Sequence, residues 1–392
     1  MIKSIKIQLI PTNKQNSRLF QYAGSARFAY NWALDKIKEY YEINKKFISE
    51  GELRKSFTIF KKQEENKWLY SVSNNALKQS IRDAYNAYKK AIKKKAGFPK
   101  YKSRKKSKLS FYQDVSKIKF ESTRVKLEGL AGSTRKNRCK LNYVKLAEKD
   151  RIPADTKIAN PRVTFDGLHW WISVAIETPE SKHIPKNDGI GIDLGLKNLM
   201  TCSDGNVYSN INKSKQIKKI EKQKRRLQRS ISRKYELNKK GACYCKTRNI
   251  IKAEEKLLKI TQRLTNIRHN HILQAIKEII SRDPRFICLE NLNVSGMMKN
   301  RHLSKAIADA NFYKIRTILE YKAKQNNIEL FLADRFFPSS KICSHCGAIK
   351  QDLKLSDRVY KCSCGFDIDR DLNASINIKN YGEQQYQALL NA

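Results

Sequence analysis

The stretch Gly189-Ile190-Gly191-Ile192-Asp193-Leu194-Gly195 constrains this chain most. It reads as a short apolar strand ending in one carboxylate and boxed in by glycines. A strand this apolar belongs in a core, where a carboxylate is costly unless it is paired or meets a cation. Two downstream segments share the character: Phe286-Ile287-Cys288-Leu289-Glu290-Asn291-Leu292 and Asp369-Arg370-Asp371-Leu372-Asn373. Three acids on separate elements point to one site for divalent metal.

The charge balance says what such a site would meet. Lys and Arg number 81 against 37 Asp and Glu, a formal net charge of +44 over 392 residues. A chain this basic repels itself unless it meets a polyanion, with nucleic acid the first candidate and an anionic membrane the second. It has no run of about 18 apolar residues, and Met1-Ile2-Lys3-Ser4-Ile5-Lys6-Ile7 lacks a signal-peptide core. A cytoplasmic protein is expected, with no membrane partner. Its length suggests two or three domains at about 150 residues each.

In order, residues 3–11 alternate as a strand, with Ile5, Ile7 and Leu9 on one side and Pro11 as its stop. Residues 15–95 carry helical periodicity. A basic run around Lys93 and Lys94 follows, then Gly97 and Pro99, then a second run with Lys102, Arg104 and Lys105. Such runs are often no more than solvated faces. Here aromatics are interleaved, which favours a phosphate-backbone surface. Residues 108–180 read as short strands, with Asp166-Gly167 as a hairpin turn, and Ser181–Asn187 as a linker. Beyond it come strands at 189–194, 198–202 and 206–208, then a basic antiparallel helical hairpin over 212–282 that includes Arg225 and Arg226. The Glu290 strand, a helix over 303–325, a strand at 328–332, a cysteine segment and a final helix from Asp371 close the chain. This order, with acids ending the first and fourth strands and opening the last helix, is that of an RNase H-like domain.

Phosphodiester hydrolysis needs an activated water and a stabilised leaving oxygen. Two cations about 3.5–4 Å apart supply both when carboxylates on rigid elements hold them. Mg²⁺, with Mn²⁺ as a substitute, suits an all-oxygen donor set. Asp193 is placed to bridge the two ions, with Glu290 and Asp371 completing one side each, while Gly191 and Gly195 allow close approach. The plainer reading is that these acids form turns or caps, and that Asp371 merely caps its helix. Asp204, Glu320, Asp367 and Asp369 are nearby competitors.

Nine cysteines are an odd number for a disulfide scaffold, and four lie between 343 and 364. Cys343-x2-Cys346 and Cys362-x-Cys364 match a zinc ribbon, in which four thiolates close one structural site. The second pair departs from the usual spacing by one residue. His345 is a conceivable substitute ligand but is expected to face outward. Cys243 and Cys245, at the hairpin tip, read as free thiols. Cys139, Cys202 and Cys288 read as core or surface residues.

These segments together resemble a known family. Gly191–Gly205 (GIDLGLKNLMTCSDG), Ile287–Met297 (ICLENLNVSGM), Arg335–Gly347 (RFFPSSKICSHCG) and Asp369–Ile378 (DRDLNASINI) are similar to the three RuvC motifs and zinc ribbon of the TnpB proteins. Arg27–Leu34 (RFAYNWAL) also resembles that family, whose members are RNA-guided nucleases of insertion sequences akin to small type V CRISPR effectors. The resemblance implies a multidomain α+β protein. Residues 1–14 and 108–185 would form a wedge-type β-barrel, and 15–107 a helical recognition lobe containing Arg27 and Tyr30. A RuvC domain would span 186–337 and 367–392, interrupted by a zinc ribbon at 338–366. It implies Asp371, not Asp369, as the third acid. It also implies a transposon-end-derived guide RNA that pairs with target double-stranded DNA, and no small-molecule substrate. Arg27, Tyr30, Lys93, Lys94, Lys102, Arg104, Lys105, Arg225 and Arg226 are the candidate nucleic-acid contacts. The alternatives are a nuclease-silent, guide-dependent DNA-binding repressor and a transposase acting directly on transposon ends.

Overall fold

The computed structural model describes residues 2–104, 107–130, 141–153, 156–179, 183–354 and 357–391. The chain divides into two compact units, Met1–Pro179 and Glu180–Ala392. Lys105 and Cys139 lie outside the described residues. No helix among the described residues is long and apolar enough to cross a membrane.

The first unit opens with strand β1 (Ile2–Ile10), then helices α1 (Asn13–Asn44), α2 (Glu50–Phe60) and α3 (Asn74–Ile92). Strands β2 (Leu109–Tyr112), β3 (Lys119–Phe120), β4 (Arg124–Lys126), β5 (Tyr143–Leu146), β6 (Ile158–Phe165) and β7 (Trp170–Glu177) follow. They form one antiparallel sheet in the order β2-β6-β7-β1-β5-β4-β3. Its hydrogen-bonded order is open between β2 and β3 among the described residues. Period-2 alternation sends Ile5, Ile7 and Leu9 into the core, where they join Val163, Ile172 and Leu19. Thr12 starts α1 through a reciprocal capping box with Gln15. The buried Gln15 amide also donates to the carbonyls of Leu141 and Tyr143, at 3.0 and 2.9 Å.

The helical stretch is broken where local chemistry breaks it. Lys45 takes a left-handed φ of 51° after α1, and Ser49 starts α2 with its own capping box to Glu52. A 3-10 segment, Glu64–Ser71, precedes α3.

The second unit contains β8 (Ile190–Asp193), β9 (Asn198–Cys202), β10 (Val207–Ser209), α4 (Lys215–Leu237), β11 (Lys239–Lys240), β12 (Cys243–Tyr244) and α5 (Arg248–Ser281). Then come β13 (Phe286–Glu290), α6 (Val294–Met297), α7 (Ser304–Ala310), α8 (Phe312–Gln325), β14 (Glu329–Ala333), β15 (Val359–Lys361), β16 (Asp367–Asp369) and α9 (Arg370–Leu390). The main sheet runs β10-β9-β8-β13-β14. Its first three strands are an antiparallel ribbon, and β13 lies parallel to both β8 and β14. Strand β13 is buried on both faces, as a central parallel strand must be. Ile287 and Leu289 meet Ile276, Ile279 and Ile315 of α5 and α8 on one side. Phe286 and Cys288 meet Ile378 of α9 on the other.

Helices α4 and α5 form the basic hairpin, packed through Ile217, Ile220 and Leu264. Its tip is a two-stranded ribbon, β11 with β12, that leaves Cys243 exposed. The helix expected over 303–325 is two helices. Asn311, at φ 57° and ψ 40°, ends α7 and starts α8, and its side-chain amide donates to the Asp309 carbonyl at 3.0 Å. Asparagine tolerates this left-handed turn because its short polar side chain can bond locally.

Candidate active site and metal centre

The acid-bearing strands end side by side. The parallel register pairs Leu289 with Ile192, so Asp193 and Glu290 follow at one level, at the C-terminal edge of the sheet. Open parallel sheets hold their ligands at this edge. Asp371 arrives from the opposite direction, in the first turn of α9. Gly191 admits that helix. A Cβ at Gly191 would overlap the backbone of Ser375 and Lys379, and would stand 2.9 Å from the Lys379 Cα. This glycine therefore seats a helix on the strand. Gly382 makes a similar approach over β13, where a Cβ would stand 2.7 Å from the Cys288 Cβ.

Asp193, Glu290 and Asp371 line a common cavity of about 400 Å³. Five cations share its wall: Lys197, Lys341, Lys354, Arg358 and Arg370. Burial, followed by the charges of Glu290 and Asp371, pushes the Asp193 carboxyl well above the usual range. Burial also raises Glu290, against the pull of hydrogen bonds from Ser339 and Asp193. The Ser339 hydroxyl donates to Glu290 Oε1 at 2.8 Å. Arg370 stands 3.5 Å from Asp371. This donor set fits hard divalent cations: all oxygens, mutually repelling, on rigid elements.

Among the described residues, only the four ribbon cysteines bring three or more ligand atoms all within 4.8 Å of one another. The three acids do not form such a group.

The competitors are otherwise engaged. Asp369 caps α9, accepting from the backbone N–H groups of Asp371 and Leu372 at 2.9 and 3.2 Å. Asp204 pairs with Arg282, Asp367 lies 3.6 Å from Lys361, and Glu320 pairs with Arg316 at 2.7 Å.

The cysteine segment forms two matched turns. Cys343 and Cys364 sulfurs lie 3.9 Å apart, and those of Cys346 and Cys362 lie 3.6 Å apart. Zn–S bonds of about 2.3 Å in a tetrahedron give edges of about 3.8 Å, so the cluster fits a Zn²⁺ ion. The short Cys362-Ser363-Cys364 turn repeats the backbone pattern of the longer one. Gly365 N–H returns to the Cys362 carbonyl as Gly347 N–H returns to that of Cys343, and both glycines have positive φ. The Cys362 thiol is held down to about 6, first by the Cys364 backbone N–H and then by neighbouring thiols. Against the pull of the Phe366 backbone N–H, the neighbouring thiols push Cys364 the other way, up to about 12, so the lowered value belongs to the cluster and not to one independent thiolate. His345 faces outward, stacked on Phe366.

Helix α9 joins the two centres. Asn373 and Asn377, one turn apart and buried, both donate to the Ile342 carbonyl at 2.7 Å. Asn377 also holds the Ser339 carbonyl, and Asn373 accepts from Ser344 N–H. Sequence reasoning missed Ser339, Asn373 and Asn377, along with the five cavity cations. Two asparagines at helical spacing in an otherwise apolar stripe were the available signal.

The candidate nucleic-acid residues fall into three groups. Lys93, Lys94, Arg104, Arg225 and Arg226 are exposed, with Arg225 3.8 Å from Glu221. Arg27 and Lys102 are half-buried and line one small recess with Lys108. Tyr30 corrects the expectation: it is a core residue, 7% exposed, with the Lys102 ammonium 3.6 Å above its ring. Packing and a cation–π contact occupy its faces.

Three family models match the chain. One described as "Probable transposase" covers residues 171–301, one described as "Helix-turn-helix domain" covers 1–46, and one described as "Cas12f1-like, TNB domain" covers 312–378. The second span holds a strand and a single 32-residue helix in this chain. A Streptomyces pristinaespiralis protein named "Putative RNA-guided DNA endonuclease" is 29% identical over 376 residues, covering 96% of this chain and 88% of its own. An Escherichia coli K12 protein, "Putative RNA-guided DNA endonuclease InsQ", is 27% identical over 394 residues, covering 96% and 91%. The cryo-EM structure of a Cas12f1–sgRNA–target DNA complex superposes with a TM-score of 0.60 at 14% identity, covering 97% of this chain and 99% of that one. The last likeness is one of fold.

Proposed function

The chain belongs to the TnpB family, the OrfB proteins of IS605-type insertion sequences, and from that membership and its carboxylate site we propose that it is an RNA-guided DNA endonuclease. One observation carries the reading. Asp193, Glu290 and Asp371, from three separate elements, surround one cation-walled cavity in a chain of net charge +44.

In this reading the β8-containing sheet and its helices are a RuvC-type, RNase H-like nuclease domain. Residues 338–366 are a target-binding zinc ribbon held by Cys343, Cys346, Cys362 and Cys364. Residues 1–14 and 108–185 are the wedge module, with 15–107 as recognition lobe. Asp193, Glu290 and Asp371 would hold divalent Mg²⁺, which when bound supplies an activated water and stabilises the leaving oxygen. Burial of Asp193 and Glu290 keeps bulk water from screening their charges. Ser339 fixes the Glu290 rotamer. Lys197, Lys341, Lys354, Arg358 and Arg370 attract the phosphodiester and hold its neighbouring phosphates. Sequence choice is delegated to base pairing by a transposon-end guide RNA, while basic surfaces grip the heteroduplex through its backbone. The working place is the cytoplasm, on the nucleoid.

The presence of all three acids speaks against a nuclease-silent repressor. The test is to sequence the RNA that co-purifies with the full-length protein, then offer Mg²⁺ and DNA matching it. A discrete RNA and matched cutting, lost in Asp193→Ala, are expected. Heterogeneous RNA with cutting indifferent to it would overturn the guided reading.

A further inference from the structure

Phe336 is 90% exposed, the most exposed large hydrophobic side chain among the described residues. Single exposed apolar residues are ordinary, so its placement has to carry the argument. Its neighbour Phe337 packs on Tyr381, with ring centroids 5.0 Å apart. The intervening backbone is rigid: Phe337 N–H bonds the Asp334 carbonyl at 3.0 Å, and Ser339 N–H bonds the Phe337 carbonyl at 2.8 Å. Ser339 in turn holds Glu290. Phe336 therefore projects from a turn fixed on both sides, three residues after Ala333, whose register partner is Glu290. The turn leaves the sheet at the edge where the acids stand. Strand β14 is two places from β8, roughly 10 Å across. The exposed Arg335 precedes the ring.

We propose that Phe336 is a positioning residue, a platform on which an unpaired base of the DNA strand being cut stacks. The proposal rests on the nuclease reading above. An aromatic face takes any base, so the contact suits an enzyme whose sequence choice lies elsewhere. The cavity cations would hold the phosphates, and Phe336 would hold one base against rotation. The strand then enters the acid site at a fixed angle, and a fixed approach is where a positioned reaction gains most.

The test uses full-length Asp193→Asn protein with its co-purified RNA, and single-stranded oligodeoxynucleotides carrying 2-aminopurine at successive positions. Stacking quenches that fluorophore. One position is expected to be quenched on binding. Phe336→Ala in the same background should abolish this quench and weaken binding roughly 5- to 100-fold, whereas Phe336→Trp should restore both. In the otherwise native enzyme, Phe336→Ala should slow cutting with unchanged thermal stability, because the ring buries little. An unchanged quench profile in Phe336→Ala, or a loss that Trp does not rescue, overturns the proposal. The outcomes separate from the parent reading. If native protein never cuts matched DNA, the nuclease reading fails whatever the quench. If it cuts and the quench ignores Phe336, only the platform fails.

Discussion

Asp369 caps helix α9 by accepting the backbone N–H of Asp371, at 2.9 Å. Two acids two residues apart thus divide the work, and Asp371 is left free to face the cavity. Asp371→Ala should cut cleavage by about 10³-fold or more, as for a group acting within a catalytic unit, with little change in stability. Asp369→Ala should cost about 1 kcal/mol of stability through the lost cap and spare most activity. Denaturant melts beside single-turnover rates will separate the two. The opposite pattern would make Asp369 the ligand.

Gly191→Ala places a methyl against the backbone of Ser375 and Lys379. Backbone yields less readily than side chains, so overpacking of about 1–3 kcal/mol is expected. Cleavage should fall with it, as Asp371 is carried off with the helix. A fully active, equally stable variant would show that α9 is not seated here.

Ser339→Ala removes the only side-chain hydroxyl bonded to Glu290 among the described residues. A hydrogen bond to a charged group is worth about 1.5–3 kcal/mol, so a rate loss of about 10- to 100-fold is expected, with Ser339→Thr retaining much of the rate. An unchanged rate would show that Glu290 needs no such support.

Removing zinc, or replacing Cys364 with Ser, should raise hydrogen exchange across 338–366. It should also loosen Ser339, since Asn377 and Asn373 grip both that residue's carbonyl and the ribbon's first turn. The measurement is peptide-level exchange with and without chelator. Protection unchanged throughout would remove the structural role assigned to the cluster.

The raised Asp193 carboxyl has a pH signature. The folded state binds that proton more tightly than the unfolded chain does. Its contribution is therefore full below the ordinary carboxylate pKa of about 4 and is lost as pH rises through the higher folded value. Without magnesium, stability should fall over that window, and Asp193→Asn should flatten the fall. Melting curves in magnesium-free buffer, without chelator so that the cysteine cluster is undisturbed, will show it. A wild-type profile identical to Asp193→Asn would mean that Asp193 is not strained.

The sequence made some of this legible for local reasons. An apolar strand closed by an acid announces itself, and so does a cysteine pair followed by glycine. Periodicity located the basic hairpin. What stayed hidden depends on partners far along the chain. Ser339 and the two asparagines matter through one carbonyl and one carboxylate that no local pattern marks. Tyr30 stood among the candidate nucleic-acid contacts because no local pattern shows its cover, Lys102, which lies 72 residues away. The break at Asn311 was missed because both flanking helices share one apolar stripe, and a single left-handed residue barely disturbs it.

The contact at Gly191 limits what can be tuned. Main chain rests on main chain there, with no side chain between to lengthen, shorten or rotate. The spacing between Asp193 and Asp371 is therefore a property of the scaffold. Variation in the cavity wall can alter charge, reach and preference for the strand it meets, while the acids keep their places. Diversification of such a protein has more room around its cutting centre than at the seat of α9 on β8, because that seat has no adjustable part.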